Sequence, residues 1–118
     1  MIVLDSTKTI TMTTTSGSNV VAAANFVDPP STPNYNTVAS NAATPVTIVA
    51  SPSSGTRLIQ HIDIFNGDAS AQLVTVYFGT IQLIQQTIPA GWNVQYTTNG
   101  GWSTPSGASM NFYFPGGW

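Results

Sequence analysis

Few side chains in this sequence are able to do acid–base or metal chemistry. His61 is the sole histidine, and Asp63 follows two residues later. On a strand the two share one face, as a metal-ligand pair or half of a proton relay would. A metal site needs two or more further ligands. The only other carboxylates are Asp5, Asp28 and Asp68, and there is no Glu or Cys. A nucleophilic hydrolase needs a base and an orienter beside its nucleophile. One histidine allows one such triad, and no Gly-x-Ser-x-Gly occurs. Glycosidase chemistry needs two facing carboxylates, but Asp68 is explained by turn hydrogen bonding after Asn66-Gly67. No glycine-rich phosphate loop with a lysine is present. We therefore expect no enzyme, no catalytic residue, no metal and no cofactor. His61 and Asp63 read as the outer face of a strand whose other face is Leu58, Ile62 and Ile64.

The aromatic residues are the remaining candidates for ligand chemistry. Trp92, Trp102, Trp118, Tyr35, Tyr96, Phe112, Tyr113 and Phe114, with amides from the Asn and Gln supply, have the makings of stacking platforms for sugar rings. The competing reading, which we favour, is that Trp92, Tyr96, Phe112 and Phe114 fill a small core or an oligomer interface, where they bury large area.

The elements that would position these residues are strands. Thr, Val, Ile, Tyr, Phe and Trp recur in short runs bounded by Gly, Pro and Asn, which is the strand signature. The expected strands are Ile2 to Leu4, Thr9 to Thr13, Val20 to Val27, Val46 to Val49, Leu58 to Phe65, Leu73 to Phe78, Ile81 to Ile88, Trp92 to Tyr96 and Met110 to Phe114. In Leu73 to Phe78 the alternation puts Val74, Val76 and Phe78 on one face. Asn66-Gly67-Asp68 reads as a hairpin turn joining its two flanking strands. Asp28 to Pro45 reads as a long loop, because Pro29, Pro30 and Pro33 remove ladder donors. Strands at this spacing predict an all-β fold, an antiparallel β-sandwich or jelly-roll-like barrel. Residues 1–19 are expected to form an extended N-terminal arm, and residues 20–118 a single sandwich domain containing the 28–45 loop.

Charge is the anomaly of the composition. Of 118 residues, 5% are charged, against about 25% in an ordinary soluble domain. Two basic residues cannot neutralise a row of phosphates or coat an anionic membrane, so neither nucleic acid nor membrane is an expected partner. No apolar run reaches the length needed to span a bilayer, and Met1 to Asp5 lacks the basic region of a signal peptide. The shortage also bears on sheet edges. Monomeric β proteins guard their edge strands with Lys, inward charges, Pro or bulges, and charge-based guarding is nearly unavailable here. Edges are then expected to be covered by another chain. The arm is a candidate donor through Ile2, Val3, Leu4, Ile10 and Met12; the alternative is that it is simply the first strand of its own sheet.

Several segments resemble small tailed-bacteriophage virion proteins. They are Met1-Ile2-Val3-Leu4-Asp5-Ser6-Thr7-Lys8-Thr9-Ile10, Pro45 to Pro52, Arg57-Leu58-Ile59, Ile64 to Ala71, and Thr87-Ile88-Pro89-Ala90-Gly91-Trp92-Asn93-Val94-Gln95-Tyr96-Thr97 followed by Gly101-Trp102. The likeness covers about 70 residues in patches, carried by the shared order of motifs that are individually common in β proteins. Residues 77–86 carry less charge than the pattern leads one to expect, and the stretch from Thr104 to Trp118 has no counterpart in it. The resemblance implies a virion structural role. The first expectation is a capsid decoration (cement) protein on the outer surface of the head rather than the tail. Its partners would be the major capsid protein and copies of itself, as a homotrimer. The second is a tail or head-fibre module recognising host glycans through exposed aromatics, and the third a tail-tube or baseplate subunit.

Overall fold

The computed structural model describes residues 2–30 and 32–106. Every element among them is a strand: β1 (Ile2–Leu4), β2 (Ile10–Thr13), β3 (Val20–Asp28), β4 (Thr32–Ala39), β5 (Val46–Val49), β6 (Arg57–Asn66), β7 (Gln72–Phe78), β8 (Ile81–Ile88), β9 (Asn93–Thr97) and β10 (Gly101–Trp102). They form two antiparallel sheets packed as a sandwich. One runs β10-β9-β6-β3-β4, with β1 also on β6; the other runs β5-β2-β7-β8. The core between them is aliphatic. Leu4, Ile10, Met12, Ile48, Ile59, Ile62, Ile64, Val76 and Val94 are all under 2% exposed, and burial of this kind is the main favourable term in folding.

The period-two pattern accounts for most of this. In β7, Val74 and Val76 are buried and Phe78 half-buried, on the expected face. Gly79, at φ 62°, turns β7 into β8, and Gly101, at φ 68°, turns β9 into β10. These are the left-handed conformations in which glycine costs least.

Four expectations are corrected. First, residues 28–45 are not a loop. Thr32–Ala39 is a full strand, in register with β3 from Val21↔Ala39 to Asp28↔Thr32. Pro33 is tolerated because β4 is an edge strand, where a missing N–H need break no ladder. Second, residues 1–19 do not leave the sandwich as an arm. Ile2 pairs with Ile59 and Leu4 with Arg57 on β6, while β2 lies inside its sheet between β5 and β7. Third, Asn66-Gly67-Asp68 does not close a hairpin, since β6 and β7 belong to different sheets. Neither Asn66 nor Gly67 takes a positive φ. Gly67 is needed for close approach instead, as a Cβ there would lie 2.9 Å from the Asn19 carbonyl oxygen. Fourth, Ile59 rather than Leu58 joins Ile62 and Ile64 in the core. A bulge sets Asn25 opposite His61 but Phe26 opposite Ile59, which reverses the alternation beyond it. The expected strand Met110 to Phe114 lies outside the described residues.

One end of the sandwich is fastened by neutral polar groups. Asn66 is fully buried at the end of β6. Its Nδ2 donates to the carbonyls of Ile88 (2.7 Å) and Ser70 (3.0 Å), and its Oδ1 accepts from the Asp68 amide (2.9 Å). Gln72 Oε1 accepts from the amides of Gly17 and Ser16. Ser40 Oγ donates to the Gly17 carbonyl.

Candidate interaction surfaces

The residues singled out for chemistry do not converge. His61 and Asp63 share the outer face of β6, both half-buried. Asp63 Oδ1 accepts from Asn93 Nδ2 at 3.0 Å. Among the described residues no three His, Asp or Glu side chains gather as a metal site would require.

Of the two basic side chains, Arg57 is committed. Arg57 forms a bidentate pair with Asp28, Nε to Oδ1 at 2.7 Å and Nη2 to Oδ2 at 3.0 Å. Its Nη1 donates to the Ala50 carbonyl at 2.8 Å, and its guanidinium lies 4.6 Å from the Phe26 ring centroid. These contacts join the β3–β4 corner to the β5–β6 connection, and they hold the Asp28 carboxyl below the usual carboxylate range. Asp5 is lowered too, by the Thr7 hydroxyl and amide that donate to it.

The five residues expected to form an arm interface divide by depth. Leu4, Ile10 and Met12 are 0% exposed in the chain's own core. Ile2 is half-buried and Val3 is 41% exposed. Both line a groove of about 370 Å³ with Phe78, Ile81 and Leu83. It lies where β1, at one sheet's margin, faces the start of β8, at the other's.

The tryptophans divide as well. Trp92 sits in the β8–β9 turn, 41% exposed. Trp102 is half-buried and packs on Tyr96, ring centroids 5.3 Å apart at 52°. Tyr96 is 4% exposed, and its hydroxyl has no hydrogen-bond partner among the described residues. Trp118 lies outside them.

Two surface features take their place only from the fold. Tyr35, a candidate stacking aromatic, is 80% exposed on β4. It borders a hollow of about 360 Å³ whose lining includes Asn25, Asn34 and Gln60. Reading 28–45 as a loop left it without a face or neighbours. The second is which strands form the uncharged edges. β4 and β8 are each eight residues long, end one sheet apiece, and carry no charge.

Comparison of the chain with protein-family models, with curated proteins and with solved structures finds no match.

Proposed function

We propose that this chain is a structural protein of a bacteriophage virion, a capsid decoration (cement) protein that binds the outside of the head. It bridges neighbouring major capsid protein subunits and associates with copies of itself, as a homotrimer, by main-chain pairing at its edges. The observation that supports this best is β4. Along Thr32–Ala39 seven of eight residues are exposed, none is charged, and Pro33 is the sole edge guard. A strand of that kind is a template for a neighbour's backbone. The resemblance of the segments named above to virion proteins supplies the biological setting. The mechanism is mechanical. Backbone and amide contacts across subunit boundaries add to the free energy that must be spent to separate the coat, and they lose little to salt because no ion pairs are involved.

Sedimentation of the purified protein tests self-association: a trimer is expected, and a stable monomer at high concentration overturns it. Imaging of particles with and without the protein tests location. Density on the outer head surface is expected, and density confined to the tail sinks the decoration reading. Truncating residues 1–13 would not test the partner interface, since it would remove Leu4, Ile10 and Met12 from the core.

One observation favours the glycan-binding reading over the remaining alternatives, and it moves the site. The exposed ring of Tyr35 beside Asn25, Asn34 and Gln60 pairs an apolar stacking face with neutral donors and acceptors. Binding on a glycan array that is lost in Tyr35→Ala, with particle stability unchanged, would support this reading over decoration. Absence of binding by the intact protein excludes it.

A further inference from the structure

Two asparagines in the chain stand directly before a glycine, Asn66 before Gly67 and Asn99 before Gly100. The dipeptide carries chemistry of its own. Glycine has no Cβ to shield its amide nitrogen, so that nitrogen can reach the side-chain carbonyl carbon of the asparagine before it. The two dipeptides share this intrinsic reactivity, and the fold treats them in opposite ways.

At Asn66 each atom the reaction needs is held. The residue is fully buried. Nδ2, the nitrogen that would leave, donates to the carbonyls of Ile88 and Ser70, and Oδ1 accepts from the Asp68 amide. The Gly67 N–H, which would have to give up its proton, donates to the Asn19 carbonyl at 2.9 Å. At the second site the constraints are absent. Asn99 and Gly100 are both exposed, in the connection of residues 98–100 between β9 and β10. The Gly100 N–H donates to Thr97 Oγ1 at 2.9 Å in an exposed contact, which water replaces at small net cost. Gly101 follows at φ 68°, so the attacking nitrogen sits in a stretch of two permissive residues.

We infer that Asn99 is a site of spontaneous deamidation in the folded protein, and that the fold protects Asn66 from the same reaction. Hydroxide takes the proton from the Gly100 amide, and the nitrogen bonds to Asn99 Cγ. The Cγ–Nδ2 bond breaks, and Nδ2 leaves as ammonia after taking a proton from water, which regenerates the hydroxide. Water then opens the five-membered succinimide. Breaking the new N–Cγ bond leaves aspartate at position 99. Breaking the bond to the main-chain carbonyl leaves isoaspartate, with the backbone one carbon longer. Either product exchanges an amide for a carboxylate, in a chain that has four acidic side chains and a net charge of −2. The longer backbone falls where β10 is held to β9 by two residue pairs, Gly101↔Thr97 and Trp102↔Tyr96. Copies of the protein therefore gain negative charge at this turn with age. The inference does not rest on the virion reading.

The test holds the full chain in mildly alkaline buffer and follows it by isoelectric focusing and peptide mass spectrometry. A more acidic species should accumulate, with the amide-to-acid mass change located at Asn99 and both aspartate and isoaspartate present. Asn66 should convert at least about a hundredfold more slowly, because it reacts only when its buried end of the sandwich opens. In urea-unfolded protein the two rates should converge. Gly100→Ala checks the route. The new Cβ obstructs the attack and would meet Thr97 Oγ1 at 3.0 Å, so the acidic species should form far more slowly. Asn99→Gln, whose cyclic intermediate would need a six-membered ring, should do the same without altering the glycine. Equal conversion of Asn66 and Asn99 in the folded protein would overturn the inference. So would an Asn99 that stays intact in the folded protein while both sites convert in urea, or an acidic species that forms at an unchanged rate in both variants.

Discussion

Asn66 is fully buried and makes three side-chain hydrogen bonds, and its removal can be worked through. In Asn66→Ala three hydrogen bonds disappear. The Ile88 carbonyl is stranded in a buried setting, at a cost of about 1–3 kcal/mol. The Ser70 carbonyl and Asp68 amide lie nearer solvent and recover partners from water, so each loss costs about 0.5–1.5 kcal/mol net. Taken at the centres of these ranges the change is about 4 kcal/mol, against a typical domain stability of about 5–15 kcal/mol. In urea unfolding followed by tryptophan fluorescence, with a slope of about 2 kcal/mol/M, the midpoint should fall by about 2 M. Asn34→Ala, on exposed β4, is the control and should move it by less than about 0.3 M. A companion variant checks the geometry. Asn66→Asp keeps the acceptor for the Asp68 amide but turns a second carboxylate oxygen toward two carbonyl oxygens. Its folded-state pKa is thereby raised above the unfolded value of about 3.9. The penalty relative to the unaltered protein is then full above the folded pKa and fades as pH falls toward 3.9, where the protonated acid donates to Ile88. A midpoint shift below about 0.5 M for Asn66→Ala, or an Asn66→Asp penalty that is the same at pH 7 and at low pH, would refute this account.

Three further outcomes are expected. Asp28 is depressed by Arg57, so its contribution to stability is present above the unfolded carboxylate pKa and is lost as pH falls through the lower folded value; Asp28→Asn should flatten the acid limb of a stability–pH curve below about pH 4, and an unchanged limb would contradict the pairing. Tyr96→Phe removes a buried hydroxyl with no partner among the described residues, so thermal denaturation should show unchanged or raised stability; a loss above about 1 kcal/mol would mean that the hydroxyl is hydrogen-bonded after all. Stability should be nearly flat in sodium chloride from about 0.01 M to about 0.3 M, since Arg57–Asp28 is the one ion pair among the described residues; a steep fall would show that charge does more than the contacts allow.

The sequence was most informative where one face of a strand is buried and the other is not. In β7 Val74 and Val76 are buried and Leu73 is exposed, and the bounds of β7 and β8 follow from Gly79 and Pro89. It misled where the same residue types serve two purposes. Asn66-Gly67 has the composition of a hairpin turn, yet the asparagine is a buried tie between sheets and the glycine a point of close approach to Asn19. Both uses favour the same dipeptide, and only the partner distinguishes them. Proline misled at β4 for a related reason. It forbids a central strand but permits an edge one, and which side of a strand is paired is a non-local fact. The bulge at Gln60, which exchanges Leu58 for Ile59 in the core, likewise depends on β3 and has no local signal. The candidate surfaces were less legible than the fold. Val3 and Trp92 are exposed, and Tyr35, nameable as an aromatic candidate, acquires a face and neighbours only with β4.

The placement of the first 13 residues changes what the missing charge implies. If they formed a free arm, the sandwich behind it would need no other means of association. Instead β1 and β2 are consumed by their own sheets, and the uncharged edges remain to be accounted for. Of the two long ones, β4 and β8, β4 is the more isolated, since its neighbour across the corner is already engaged through the Asn36–Ile48 hydrogen bond. An isolated strand edge of eight uncharged residues is an aggregation hazard unless something occupies it. On the function proposed above, such an edge, in a protein that spends its arginine on an internal pair, suits a partner that supplies backbone rather than charge, as a β-rich coat or a second copy of the chain would.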